Sequence, residues 1–192
     1  MTSPVDKAEL PKLPENQKSY AGIPEAVFVD DVDAFMALED NDSNADLVLR
    51  KLDEQHSKYK MMDYSIAGRR RRLKQQIPDL LKSLDMIEVL KKQSEDQETQ
   101  FLLSEQVFLK TVIPPTKTVC LWLGANVMLE YPLDEAEVLL RQNMETAAQN
   151  LKCLEYDQDF LRDQLTTTEV NMARVYNWDV KRRQAAGLTS SN

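Results

Sequence analysis

Residues 107–131 read VFLKTVIPPTKTVCLWLGANVMLEY, and this stretch decides the fold because it interrupts two long helical patterns. Its β-branched and aromatic residues fall into three runs, which are Val107–Ile113, Val119–Leu123 and Val127–Tyr131. Such runs favour strands, and the intervening Pro114-Pro115-Thr116-Lys117 and Gly124-Ala125-Asn126 predict turns. Phe101–Leu103 adds a short first strand before its own turn. The sequence therefore predicts two β-hairpins.

The predicted hairpins carry apolar residues on both faces between Phe108 and Leu129. A small sheet that is apolar on both faces must be covered, and one insert of this size cannot cover itself. We therefore expect the hairpins to pair with other subunits as an assembly platform. The predicted platform residues are Phe108, Val112, Val119, Leu121, Trp122, Leu123, Val127 and Leu129.

Before the hairpins, apolar residues recur with alternating steps of three and four from Leu49 to Ile87. This spacing keeps one seam facing a partner helix and predicts a coiled coil. His56, Asp63 and Arg70 interrupt the seam, and we interpret the last two as a weaker, wetter section. Pro78 removes a helical hydrogen bond, so a kink is expected near residues 75–77.

After the hairpins, a second seam runs from Leu140 to Val175, with Gln158 and Thr168 as its polar exceptions. Two long helices joined by a compact insert most simply pack antiparallel, which brings Leu49 near Val175 and Ile87 near Leu140. The predicted fold is mainly α with a small β insert: a long antiparallel coiled-coil hairpin with two β-hairpins at the bend.

The predicted organisation has six parts. These are a disordered tail at 1–19, a short apolar arm at 20–42, coiled-coil helix one at 43–98, the β-hairpin assembly platform at 99–132, coiled-coil helix two at 133–184 and a frayed tail at 185–192. The arm owes its apolar character to Ile23–Phe35. It either caps the end of the coiled coil, the interpretation that we favour, or is a client-like or partner-binding segment.

Composition and charge exclude several functions. The net charge of −8 disfavours nucleic-acid and anionic-membrane partners. No apolar run reaches 18 residues, so no transmembrane helix is expected, and the polar segment 1–19 does not resemble a secretory signal. Cys120 and Cys153 lack metal-site or redox spacing and fit free, buried thiols in a reducing compartment. A cytoplasmic location is expected, with a nuclear one left open.

The sequence offers no catalytic constellation: it has no glycine-rich phosphate loop, nucleophile elbow or HExxH motif. His56 is the only histidine and is interpreted as a seam residue rather than a ligand. The basic run 69–72 is typical of a solvated helix face, with salt bridges expected to acidic residues between Glu155 and Asp163. We therefore expect no enzyme activity, no cofactor and no metal.

Four stretches resemble the prefoldin family. They are GIPEAVFV at 22–29, KLDEQ at 51–55, VCLWLGANVMLEY at 119–131 and TTTEVNMARVYNWDV at 166–180. The resemblance covers residues 22–184, and two hairpins between the helices resemble the α-class of the family.

The resemblance implies a subunit of a heterohexamer with one further α-class and four β-class subunits. In that family the hairpins join into a double β-barrel platform. The coiled-coil tips hold unfolded actin and tubulin without ATP and pass them to the cytosolic chaperonin. The implied client-binding tip residues in this chain are Leu47, Val48, Leu49, Leu52, Met172, Val175, Tyr176 and Trp178. For the last three, packing within the seam is an equally good interpretation. The alternative function is a structural scaffold subunit of another prefoldin-like complex.

Overall fold

Two long helices flank two β-hairpins in the computed structural model, which describes residues 22–41 and 43–187. The elements in chain order are α1 (Val32–Met36), α2 (Ala45–Lys92), β1 (Gln97–Ser104), β2 (Val107–Ile113), β3 (Thr118–Gly124), β4 (Val127–Pro132) and α3 (Leu133–Ala185). The predicted fold class, mainly α with two small hairpins between long helices, is confirmed. The predicted tail at 1–19 and residues 188–192 of the frayed tail lie outside the described residues.

Local chemistry sets the ends of α2. Asn44 caps its start, because the Leu47 N–H donates to the Asn44 side-chain oxygen at 3.2 Å. The helix runs through Pro78 and ends at Lys92, before the predicted boundary at residue 98. Gln93 follows, and its side-chain amide donates to the Ile113 carbonyl oxygen at 2.7 Å, which ties the helix end to β2. The first strand, β1, has eight residues, whereas the sequence predicts three.

Each hairpin is an antiparallel sheet of two strands, and among the described strands β1 pairs only with β2, and β3 only with β4. Phe101 faces Leu109 in the first sheet, and Leu121 faces Leu129 in the second. The second turn places Ala125 and Asn126 at positive φ, 48° and 61°, as the right-handed twist of a tight hairpin favours.

The chain divides into two compact units. The first comprises residues 72–151. Its core gathers Ile87 from α2 with Leu133, Ala136 and Leu140 from α3. The end of α2 therefore packs on the start of α3, and the predicted proximity of Ile87 and Leu140 is confirmed.

The second unit comprises the described residues of 14–71 and 152–192. Its core has two clusters. One contains Met36, Ala45, Val48, Leu52 and Val175, and the other contains Ile23, Tyr59, Ile66 and Leu161. Residues that rise in number along α2 meet residues that fall along α3, so the helices are antiparallel within this unit. Leu49 packs against the cluster of Val175, as predicted.

The polar interruptions of the two seams meet in one hydrogen-bonded network. The Gln158 amide donates to Asp63 Oδ1 at 2.9 Å and accepts from Arg70 Nη1, while Arg70 Nη2 donates to Glu155 Oε1 at 3.0 Å. Three of the five exceptions, Asp63, Arg70 and Gln158, thus bind one another across the interface, while Arg70 Nε is buried without a partner. Within the described ranges, the run 69–72 forms only this one of the expected salt bridges.

Candidate functional site

Most of the predicted client-binding residues in the second unit pack where α1 of the arm meets the two long helices. Val48, Leu52 and Val175 are buried in one cluster with Met36 of α1. Three more predicted residues are partly buried against the same cluster, and these are Leu49, Met172 and Trp178. Leu47 and Tyr176 remain exposed, the latter by 60%. The six residues therefore pack against the arm and against one another across α2 and α3, and of the eight only Leu47 and Tyr176 are exposed.

Trp178 packs on the arm. Its indole N–H donates to Asp33 Oδ1 at 2.6 Å, and the Arg182 guanidinium lies 4.9 Å from its ring centroid. Asp31 caps α1 by accepting from the Ala34 N–H at 3.0 Å, and this cap orients the turn that carries Asp33. Both the ring and the polar edge of Trp178 are thus engaged within the chain.

The extended part of the arm, residues 23–29, is held through its main chain by two side-chain amides of α3. Asn171 accepts from the Val29 N–H at 3.0 Å and donates to the Val27 carbonyl oxygen at 2.8 Å. Gln164 accepts from the Ala26 N–H at 2.7 Å. Both amides are buried away from water, so the main chain of the arm supplies the hydrogen-bond partners that water cannot provide.

Two further side chains bind carbonyl oxygens of the arm. The Tyr59 hydroxyl donates to Pro24 at 2.8 Å and accepts from the Gln55 amide at 2.9 Å. Arg174 Nη2 donates to the Asp30 carbonyl oxygen at 2.6 Å. The favoured interpretation of the arm as a cap that packs on its own chain agrees with these contacts.

Gln164 and Asn171, which hold the arm, were not predicted from the sequence, although a signal for them exists. Gln164, Asn171 and Trp178 are seven residues apart, and this spacing places them on one face of α3 beside the seam. Two side-chain amides followed by a large aromatic residue on one helix face indicate that a segment with unpaired main-chain N–H and C=O groups packs on that face.

The predicted platform residues lie in the first unit, and most of them are exposed. Phe108, Val112, Trp122, Leu123, Val127 and Leu129 are exposed, as are Phe101 and Leu102 of the neighbouring strand. Phe108 pairs with Leu102 and Leu109 pairs with Phe101, so both faces of the first hairpin present apolar side chains. The expectation that this sheet does not cover itself agrees with the structure.

The second hairpin has one face that its own helices cover in part and one open face. Val119, Leu121 and Tyr131 pack against the helix cluster around Ile87 of their own chain. Since side chains alternate along a strand, Cys120 and Trp122 project from the opposite face, where both are exposed. Val119 and Leu121 therefore contribute to the chain's own core. The expectation that Cys120 is a buried thiol is wrong within this chain, because the helices cover only the other face; Cys153 is half-buried.

A short ion-pair network joins the last turn of α2 to the first turn of α3. Lys91 Nζ lies 2.5 Å from Asp134 and 2.6 Å from Glu137. Its hydrogen bonds to Asp134 and then Glu137 raise the pKa of Lys91, and the same contact lowers the pKa of Glu137. The network fixes the helix ends from which the hairpins project.

Asp157 is a buried carboxylate in the second unit, 2% exposed, and its Oδ1 has no hydrogen-bond partner. Burial raises the pKa of Asp157 above the ordinary value of 3.8, because the charged form is poorly solvated. The folded state therefore binds this proton more tightly than the unfolded state. The stabilisation from protonation is complete below pH 3.8 and is lost as the pH rises through the folded-state pKa.

We expect Asp157→Asn to stabilise the protein at pH 7, where the native carboxylate is charged, and to lose this advantage as the pH falls towards 3.8. Urea unfolding of both proteins across this pH range measures the effect. Asp159→Asn is the matched control, because Asp159 is exposed and pairs with Arg162. If the unfolding free energies of Asp157→Asn and the wild type differ by the same amount at every pH, the raised pKa of Asp157 is contradicted.

Metal-ligating groups and membrane-spanning helices were both sought in residues 22–41 and 43–187. No group of three or more His, Cys, Asp or Glu side chains in these ranges is placed to hold a metal ion, and no helix there is long and apolar enough to span a bilayer. His56, which we interpret as a seam residue, lies with Nε2 at 2.9 Å from Glu169 Oε1 across the helix pair.

Comparisons with known proteins agree on one family. The family model described as Prefoldin subunit matches residues 59–178. A protein from Drosophila melanogaster named Prefoldin subunit 3 is 64% identical over 191 residues, which cover 100% of this chain and 98% of the relative. A human protein of the same name is 57% identical, over 91% of this chain and 90% of its own length. The Saccharomyces cerevisiae protein of that name is 38% identical, over 88% and 89%.

The fold is also found in solved structures of other proteins. A filamentous PFD from Methanocaldococcus jannaschii, determined by cryo-EM, superposes with a TM-score of 0.50 at 18% identity. The match covers 59% of this chain and 94% of that chain. At this identity the likeness concerns the fold alone.

Proposed function

Because this chain belongs to the prefoldin family, we propose that it is an α-class subunit of a heterohexameric co-chaperone, with one further α-class and four β-class subunits as its partners. The observation that carries the proposal is the pair of uncovered hairpins. Each is a two-stranded sheet with free edges and an exposed apolar face, which is marginally stable alone and prone to pair with other strands. Packing against the hairpins of partner subunits pairs the free strand edges and buries the exposed apolar face.

The proposed activity is to hold non-native actin and tubulin without ATP and to deliver them to the cytosolic chaperonin. A non-native chain exposes apolar surface, and several weak apolar contacts on separate subunits give avidity without a deep pocket. The chain itself performs no catalysis in this proposal, and it works in the cytoplasm, with a nuclear pool as well. The family membership and the exposed Leu47 and Tyr176 support the proposal.

The test uses the complex assembled from this chain and its partner subunits. Actin unfolded in guanidinium is diluted into buffer with and without the complex, in the absence of ATP, and light scattering measures its aggregation. We expect the complex to suppress aggregation and then to release folded actin when chaperonin and ATP are added. Unchanged scattering in the presence of the complex would refute the holding activity.

A scaffold subunit of another prefoldin-like complex is the second candidate. The observation that favours it is that six of the eight predicted client-binding residues are buried or partly buried in the cluster that α1 forms with α2 and α3. A scaffold requires the hairpins but no accessible apolar helix ends. Under this alternative the assembled complex forms normally and leaves the aggregation of unfolded actin and tubulin unchanged.

A further inference from the structure

We infer that the surface beneath the arm is a binding site for an extended polypeptide segment, and that the arm is its resident and exchangeable occupant. We call this surface the arm groove; it is formed by Tyr59 of α2 and by Gln164, Asn171 and Arg174 of α3. The inference rests on the proposed holding of non-native chains, and it adds the site and the kind of segment that is held.

The polar contacts of the arm groove go to main-chain atoms. Its side chains accept from the N–H groups of Ala26 and Val29 and donate to the carbonyl oxygens of Pro24, Val27 and Asp30. Every residue except proline offers both groups, so an unrelated segment can make the same hydrogen bonds. A protein that holds many unfolded chains requires recognition of this kind, since such chains share a backbone and little else.

The apolar contacts define a loose side-chain preference. Ile23, Ala26 and Val29 point into the groove, and between them Val27 is 81% exposed. Their spacing of three residues matches the turn of a polyproline II helix, which is a common conformation of unfolded chains. The groove therefore suits an extended segment that carries a small or branched apolar residue at every third position.

The arm is attached in a way that permits exchange. Residues 23–29 form no helix or strand, whereas the groove walls belong to the packed pair of α2 and α3, where Tyr59, Ile66 and Leu161 are buried. An acidic stretch of the arm, which includes Asp30 and Asp33, faces Arg174, Lys181 and Arg182 across an open cleft. Because the arm belongs to the same chain, its effective concentration at the groove is high. A competing segment therefore binds only during the fraction of time in which the arm has left the groove.

The test compares the wild-type complex with one whose arm is released by Ile23→Asp and Val29→Asp, since both side chains are buried in the docked arm. The probe is a fluorescein-labelled peptide with the sequence of residues 22–31, and fluorescence anisotropy measures its affinity. We expect the released variant to bind the peptide roughly tenfold or more tightly, because its groove is no longer occupied. Val27→Asp, on the outward face of the same arm, is the matched control and should bind like the wild type.

A second substitution locates the peptide. Adding Asn171→Leu to the released variant removes the amide that binds both Val27 and Val29. We expect this substitution to abolish the increase in peptide affinity that arm release causes. Gln164→Leu provides the same test if the first variant fails to assemble. Actin diluted from guanidinium should displace the labelled peptide from the released variant.

Three results would overturn the inference: equal peptide affinity with and without arm release, a gain that survives both amide substitutions, or unfolded actin that leaves the peptide in place. The proposed function is judged separately, by whether the wild-type complex suppresses actin aggregation. If the wild type holds actin while arm release changes no affinity, only the inference fails.

Discussion

Trp122→Asp is expected to prevent the chain from joining its partner subunits while leaving its helices folded. Trp122 is 59% exposed on the open face of the second hairpin, so the isolated chain tolerates a charge there. In the proposed assembly this face is buried against sister strands, where an unpaired carboxylate is poorly solvated. Central aromatic residues of interfaces commonly contribute about 2–4 kcal/mol to binding, so we expect the association constant to fall about 30- to 1,000-fold.

Native mass spectrometry of the variant with its partner subunits measures the assembly, and circular dichroism of the isolated chain measures its helix content. Tyr64→Asp is the matched control, because Tyr64 is a large aromatic on α2 that is 83% exposed and lies outside the hairpins. It should assemble normally. An intact hexamer with Trp122→Asp would show that this face of the hairpin is not an interface.

Leu121→Asp should behave differently from Trp122→Asp, although the two residues are neighbours on one strand. Leu121 packs against the cluster of Ile87 and Leu140 in its own chain. A charge at this position therefore lowers the stability of the isolated chain as well as assembly. The pair of variants distinguishes the covered face of the second hairpin from its open face.

Tyr59→Ala is expected to be the most destabilising single truncation in the second unit. Tyr59 is 0% exposed, fills the space between Ile66 and Leu161, and binds the Pro24 carbonyl oxygen of the arm. Loss of a buried aromatic leaves a cavity and typically costs about 3–5 kcal/mol. The arm also loses one of its anchors, so we expect faster proteolysis near residues 22–31.

Tyr59→Phe separates the hydroxyl from the ring. It keeps the packing and removes the hydrogen bonds to Pro24 and Gln55, so the expected loss is only about 0.5–1.5 kcal/mol. Urea unfolding followed by circular dichroism measures both variants, and limited proteolysis reports on the arm. If Tyr59→Phe is as destabilising as Tyr59→Ala, the ring packing is not the main contribution of this residue.

The local patterns of the sequence were sufficient for the fold class. Heptad spacing predicted two long helices that meet near Leu49 and Val175 and near Ile87 and Leu140, and β-branched runs predicted the strands of both hairpins. These signals succeed because a helix and a strand each have a fixed repeat, and burial of one face requires apolar residues at that repeat. The polar interruptions Asp63, Arg70 and Gln158 were visible too, although their mutual hydrogen bonds were not.

The tertiary structure alone decided what covers each face. Periodicity indicates that Val175 and Trp178 lie near one side of α3, but it does not reveal that residues 22–36 pack over them, because that contact spans more than 140 positions of the chain. Likewise, alternation separates Leu121 from Trp122 without showing which of them meets the helices. A sequence period specifies which side chains share a face; it does not specify which residues of a distant segment pack on that face, because that depends on how the whole chain folds.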